Sequence, residues 1–269
     1  MKTLTLTTFL LGIAALPAQN RELGPAVSTT LTAIRAEPQA YKGVKVNFTI
    51  QFVSLGRLSN PFFTKFTPSD FANFYAWGDE QPIWRQDAYE DLFSTLFLSK
   101  FSNKLNDLYK LETYDRVRVT GVIRDTFQGR PWIEVLDFTP QSGRLDTAVL
   151  THMYRGEKLM TQRSWQRAIA ELSLVPDNSM PATVQQSAYK NLGICLLRLG
   201  EADTAASYLA SAQLLDKGDK EVGQLLAMAR SQPDQAIDRT VDARDLKDHE
   251  RPMWEAFEER GASTSQLMQ

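Results

Sequence analysis

The stretch "VKVNFTIQFV", residues 44–53, alternates without a break. Val44, Val46, Phe48, Ile50 and Phe52 share one face, and Lys45, Asn47, Thr49 and Gln51 share the other. A period of two with one apolar face is the pattern of a strand half buried in a sheet. Tyr41-Lys42-Gly43 precedes it as a turn. "YDRVRVTGVIRD", residues 114–125, repeats the pattern, with Val117, Val119, Gly121 and Ile123 facing one way and Arg116, Arg118, Thr120 and Val122 the other. A glycine inside a strand marks a bulge or a barrel bend. "TFQGRP" then turns the chain and "WIEVLDF", residues 132–138, gives a third strand, so 116–138 reads as a hairpin.

Between these strands lie the aromatic segments "PFFTKF" and "FANFYAW", both of high β-propensity, with Leu96 to Leu98 able to extend or replace one of them. "SNKLNDLYKLE", residues 102–112, spaces Leu105, Leu108, Tyr109 and Leu111 as a helix does, and Ser102 can cap its start. The order strand, strand, strand, helix, strand, strand resembles the OB-fold, a small five-stranded barrel. "YKGVKVNFTI", "YDRVRVTGVI" and "GRPWIEVLDF" carry the resemblance, and residues 19–140 are the expected barrel domain. The resemblance implies a face that binds oligosaccharide, single-stranded nucleic acid or protein. Phe62, Phe63, Tyr75, Trp77 and Trp132 are its candidate stacking residues, and Arg116, Arg118, Arg124 and Arg130 its candidate cations. Arg116, Arg118 and Trp132 are the principal residues of that face. Aromatic residues are also the ordinary filling of a small barrel. Asp115, Asp125 and Glu134 offset the arginines, and the net charge of −2 gives nucleic acid no general attraction.

After Phe138 the segment "TPQSGR", residues 139–144, reads as a linker, and beyond it the period changes to that of a helix. Gly156, Ala168, Leu172 and Val175 recur in spacing as Gly193, Ala205, Leu209 and Ala212. Small residues at such positions let two helices approach, while the large ones fill the gap to the next pair. This spacing over residues 146–230 resembles tetratricopeptide repeats. The first repeat opens on a helix at 146–161. The second pairs helices at 185–198 and 202–215, and 220–230 reads as a capping helix. The expected fold is therefore α+β and multidomain: a small OB-like barrel followed by a short all-α array of tetratricopeptide-like helical hairpins. The resemblance implies a groove for a peptide partner lined by Met153, Glu157, Met160, Lys190, Ile194 and Leu197.

"MKTLTLTTFLLGIAALPAQN" has a basic start, an apolar run and a small-residue exit, which is a secretory signal pattern with cleavage after Ala18. Residues 231–269 are polar and rich in mixed charge, with Met253, Trp254 and Phe257 at helical spacing. The chain holds one cysteine, Cys195, so no internal disulfide can form. Between Ile194 and Leu196 it reads as a small buried hydrophobe. His152 and His249 are the only histidines, and no zinc-binding, phosphate-binding or nucleophile-elbow motif is present. No cofactor and no metal are expected. The first reading is a non-enzymatic exported scaffold whose partners are proteins or peptides of the cell envelope. The second gives the work to the barrel, binding oligosaccharide or single-stranded nucleic acid, with the repeats mediating assembly. The third is a hydrolase with a carboxylate pair that sequence alone does not reveal.

Overall fold

The computed structural model describes residues 24–58, 65–175 and 180–231. The expected signal segment, Phe62, Phe63, His249 and the tail beyond Ser231 lie outside the described residues. Strands β1 (Val27–Ser28), β2 (Lys45–Gly56), β3 (Phe71–Gly78), β4 (Phe93–Ser99), β5 (Arg116–Phe127) and β6 (Arg130–Pro140) form one sheet in the order β1-β2-β3-β4-β6-β5. Strand β5 returns to pair with β2, so β2 to β6 close a five-stranded barrel, compatible with an OB-like fold. Closure depends on the length of β2. Its Lys45 to Gln51 pair with β5, and its Ile50 to Gly56 pair with β3 across a register shift at Phe52/Ser54. Such irregularities bend a strand from one neighbour to the next. A second shift falls at Thr120/Gly121. A Cβ on Gly121 would meet Ile133 Cγ2 at 2.9 Å and the Glu134 carbonyl oxygen at 3.0 Å, so glycine is needed there for close approach.

The alternating residues fill the barrel as their pattern demands. Val46, Phe48, Ile50 and Phe52 pack with Phe74, Leu96, Val117, Val119, Ile123, Ile133 and Phe138 in one core. Leu31 and Ile34 of helix α1 (Leu31–Ala36) join it, as does Leu108 of α3 (Leu105–Leu108). Helix α3 is a single turn, shorter than the helix expected over 102–112. Between β3 and β4 lies a short helix, α2 (Gln86–Glu90).

Five helices follow: α4 (Thr147–Thr161), α5 (Trp165–Leu172), α6 (Ala182–Leu199), α7 (Ala202–Leu215) and α8 (Lys220–Ser231). Asp146 caps α4, accepting the Val149 N–H at 2.7 Å. A Cβ on Gly156 would lie 2.6 Å from Leu172, and one on Gly193 would lie 2.5 Å from Leu209. The recurring glycine and leucine thus meet across α4/α5 and across α6/α7, where each pair of helices is closest.

The expectation of a barrel followed by a separate all-α tetratricopeptide-like array is corrected by what covers these helices. Val53, Trp77, Ile83, Trp84, Tyr89 and Tyr114 of the barrel share one buried cluster with Val149, Leu150, Met153, Leu159, Ala168, Leu172, Ala188 and Leu192. The helices are a layer laid on the outside of the barrel, giving a mixed α/β arrangement with two cores. Helix α5 has only eight residues, and α8 has no following partner helix among the described residues. Repeat stacks draw stability from about three or more units. Here the barrel supplies the missing apolar cover. Burying an indole such as Trp77 or Trp84 contributes about 4–6 kcal/mol of gross hydrophobic stabilisation.

The joint has a polar frame. The Trp77 indole N–H donates to the Tyr89 carbonyl at 2.9 Å, and its ring stacks on Tyr114 at 5.6 Å between centroids. Tyr114 has φ of +72°, a left-handed conformation that costs about 1–2 kcal/mol in a residue with a side chain. Its ring stays there because the stack and the 3.2 Å contact with the Tyr89 hydroxyl bury it in the joint.

Candidate binding cleft

Where the barrel meets the helices, the chain between β3 and α2 leaves the sheet as "DEQPIWRQ", residues 79–86. Three hydrogen bonds of the Gln81 side chain fix this excursion: its oxygen accepts the Gly78 N–H at 2.8 Å and its amide donates to the Ala88 and Asp91 carbonyls at 3.1 and 2.9 Å. Asp79 receives the Arg116 guanidinium at 2.5 and 2.6 Å, and its carbonyl accepts the Thr183 hydroxyl at 3.0 Å. The excursion is thereby pinned to β5 on one side and to the start of α6 on the other.

Its tip carries Trp84 and Arg85 to Glu157 on α4. The buried Trp84 donates its indole N–H to Glu157 Oε1 at 2.9 Å. Arg85 binds both carboxylate oxygens, Nε to Oε2 at 2.7 Å and Nη2 to Oε1 at 2.9 Å. Asn191 of α6 donates to Oε1 at 3.2 Å. A bidentate arginine on a carboxylate is a strong, directional contact. Its hydrogen bond with Glu157 raises the Arg85 pKa above the usual arginine value.

The cleft opens beside this anchor. It measures about 400 Å³ and lies between Glu80, Pro82, Trp84 and Arg85 on the barrel side and Gln186, Ser187, Lys190, Asn191, Ile194 and Glu221 on the helical side. Lys190 is held by Asp219 at 2.9 Å and by Glu221 at 2.6 Å. Burial pushes the Lys190 ammonium down, but its hydrogen bonds to Glu221 and Asp219 outweigh that and raise it overall. Burial likewise pushes Asp219 up. Hydrogen bonds from Lys190, the Val222 N–H and Gln186 outweigh it and leave the carboxyl below its usual range.

Of the residues expected in a peptide groove, Lys190 and Ile194 line the cleft, and Glu157 stands beside it, bonded to Asn191 and Arg85. Met153 is fully buried in the joint, and Met160 packs against the same cluster. Leu197 is buried among Ala205, Leu209 and Leu226. An unbroken groove along these six positions is not formed, because Trp84 and Arg85 lie across it.

The residues expected on one barrel face are dispersed. Arg116 is spent on Asp79 and the Ser142 carbonyl, at the helical side. Arg118 is exposed on β5 beside β1, 3.4 Å from the Ser28 hydroxyl. Trp132 is buried in an outer aromatic cluster, stacked on Phe97 at 5.2 Å. Trp77 and Trp132 are thus filling, and neither offers a free ring to a base or a sugar.

Sequence reading missed Trp84, Arg85, Glu80 and Glu221. Trp84 and Arg85 carry no periodic signal, and their partner lies more than 70 positions away. His152 holds Glu171 at 2.7 Å and ties α4 to α5. No cluster of three or more potential ligand side chains for a metal occurs among the described residues. No helix of the described residues is long and apolar enough to cross a membrane. No family model matches the chain, and no curated protein matches it.

Proposed function

We propose that this chain is an exported, non-enzymatic binding protein of the cell envelope, and that it holds a segment of a partner polypeptide in the cleft between barrel and helices. The observation that carries this reading is the state of the cleft's charges. Glu221 and Glu80, which line the cleft, and Glu157 beside it each already accept a hydrogen bond or ion pair, from Lys190, the Thr32 N–H and Arg85 respectively. Such pairing leaves each carboxylate already engaged within the protein. The cleft is lined mostly by polar side chains, among them Thr183, Gln186, Ser187 and Asn191, with Pro82, Trp84 and Ile194 as its apolar part. Many hydrogen-bonding and charged groups beside a small apolar part suit a peptide main chain with polar side chains. Export rests on the signal pattern of residues 1–18.

The test is affinity capture from envelope fractions with three forms of the protein. Wild type and Arg118→Glu, altered on the exposed barrel strand, should recover the same partner, while Ser187→Arg, which fills the cleft, should lose it. Equal recovery by all three forms refutes the assignment of the site.

A further inference from the structure

A second concavity lies on the barrel, shares no lining residue with the cleft and has different chemistry. It is a groove of about 530 Å³, within the ordinary range of small-molecule sites, which is about 300–1,000 Å³. Its accessible apolar walls are Leu55, Leu58 and Phe71, backed by the buried Phe66, Ala72 and Phe97. Phe66 stacks on Phe97 at 4.4 Å and meets Phe71 edge-on at 5.0 Å, so the wall is packed before any ligand arrives. The one buried polar side chain in it, Asn73, is fully spent: its amide donates to the Ser94 and Leu96 carbonyls, and its oxygen accepts the Leu58 N–H. The interior therefore offers a ligand no hydrogen bond from that residue, which disfavours a sugar or a base and favours hydrocarbon.

The rim is different. Arg57 and Lys100 lie on it, and among the described residues no carboxylate lines the groove. Exposed Lys100 donates to the Pro68 carbonyl at 2.6 Å. Tyr109, also on the rim, is half exposed, and Phe101, next in the chain after Lys100, is 87% exposed. An apolar body with a cationic mouth is complementary to an anionic amphiphile with a single hydrocarbon chain. We infer that this groove binds a fatty acid, with the acyl chain against Leu55, Leu58 and Phe71 and the carboxylate at Lys100.

The test is calorimetric titration of the full chain with octanoate, decanoate and dodecanoate, each below its micellar concentration. Affinity should rise about fourfold per added methylene, the increment for burying a CH₂. Dodecanol should bind more weakly than dodecanoate. Lys100→Glu and Leu55→Glu, both at exposed positions, should each weaken dodecanoate by about fivefold or more with unchanged melting temperatures. The inference is overturned by an absence of saturable binding, by affinity independent of chain length, by equal binding of dodecanol, or by unchanged binding in Lys100→Glu. Flotation with phosphatidylglycerol vesicles but no binding of free dodecanoate also overturns it, assigning the patch to a bilayer surface instead.

Discussion

At the scale of single residues, Glu157 holds the most. It collects one hydrogen bond from Trp84, two from Arg85 and one from Asn191, and so joins barrel, α4 and α6 at one carboxylate. Glu157→Ala would strand a buried indole N–H and leave the guanidinium unpaired. The expected loss is about 2–4 kcal/mol in urea denaturation. Arg85→Ala, whose side chain is more than half exposed, should cost less than about 1 kcal/mol. Equal losses would mean that the indole bond contributes nothing. Cys195 is the opposite case. It is completely buried, and burial pushes its thiol up to about 12. It should resist alkylation at pH 8 in the native protein and react on unfolding, read by mass spectrometry. Its sequence setting, between two apolar residues with no histidine near, made this legible at the outset.

At the scale of elements, the outcome divides by how many faces are buried. Strands β2, β5 and β6 were legible because their barrel-facing residues alternate with polar ones. Strands β3 and β4 were legible only from β-propensity, as "FANFYAW" and the alternative at Leu96 to Leu98, since both their faces are largely covered and carry no alternation. Helices α4, α6, α7 and α8 were legible from their apolar spacing, and α7 falls where expected, at Ala202–Leu215. What lay against them was not, because a helical stripe shows that something covers it and not what. Val53 and Trp77, strand residues buried in the cluster shared with the helices, held the hint. The tie between α6 and α8 carries a pH prediction. Asp219 has a depressed pKa, so its contribution is complete above the ordinary aspartate value of about 3.9 and is lost as pH falls through the lowered value. Lys190 is raised, so its contribution is complete below about 10.4 and is lost as pH rises through the raised value. At pH 7 wild type should exceed Asp219→Asn by about 1–2 kcal/mol, between the range for exposed and for buried pairs. The two should converge near the acid limit of the urea series. A gap that persists there would assign the effect to packing rather than charge.

At the scale of the whole molecule, a barrel and a helical layer share a core, and the cleft exists only because they do. Trp77, Trp84, Tyr89 and Tyr114 would be stranded in water if the helices left. Urea unfolding followed by tryptophan fluorescence and by helical circular dichroism should therefore give one coincident transition. Two separated transitions would restore the picture of independent domains. The cleft itself was half legible. Lys190 and Ile194 were named by the resemblance to tetratricopeptide repeats, whereas the barrel's half, at Trp84, Arg85 and Glu80, depended on a docking that no local pattern encodes. The most direct measurement is photo-crosslinking in the intact envelope, with a photoreactive amino acid placed at position 187 in the cleft or at position 118 on the exposed barrel strand. The account predicts a single discrete polypeptide adduct from position 187 and none from 118. Adducts from 118 alone, or none from 187, would contradict it.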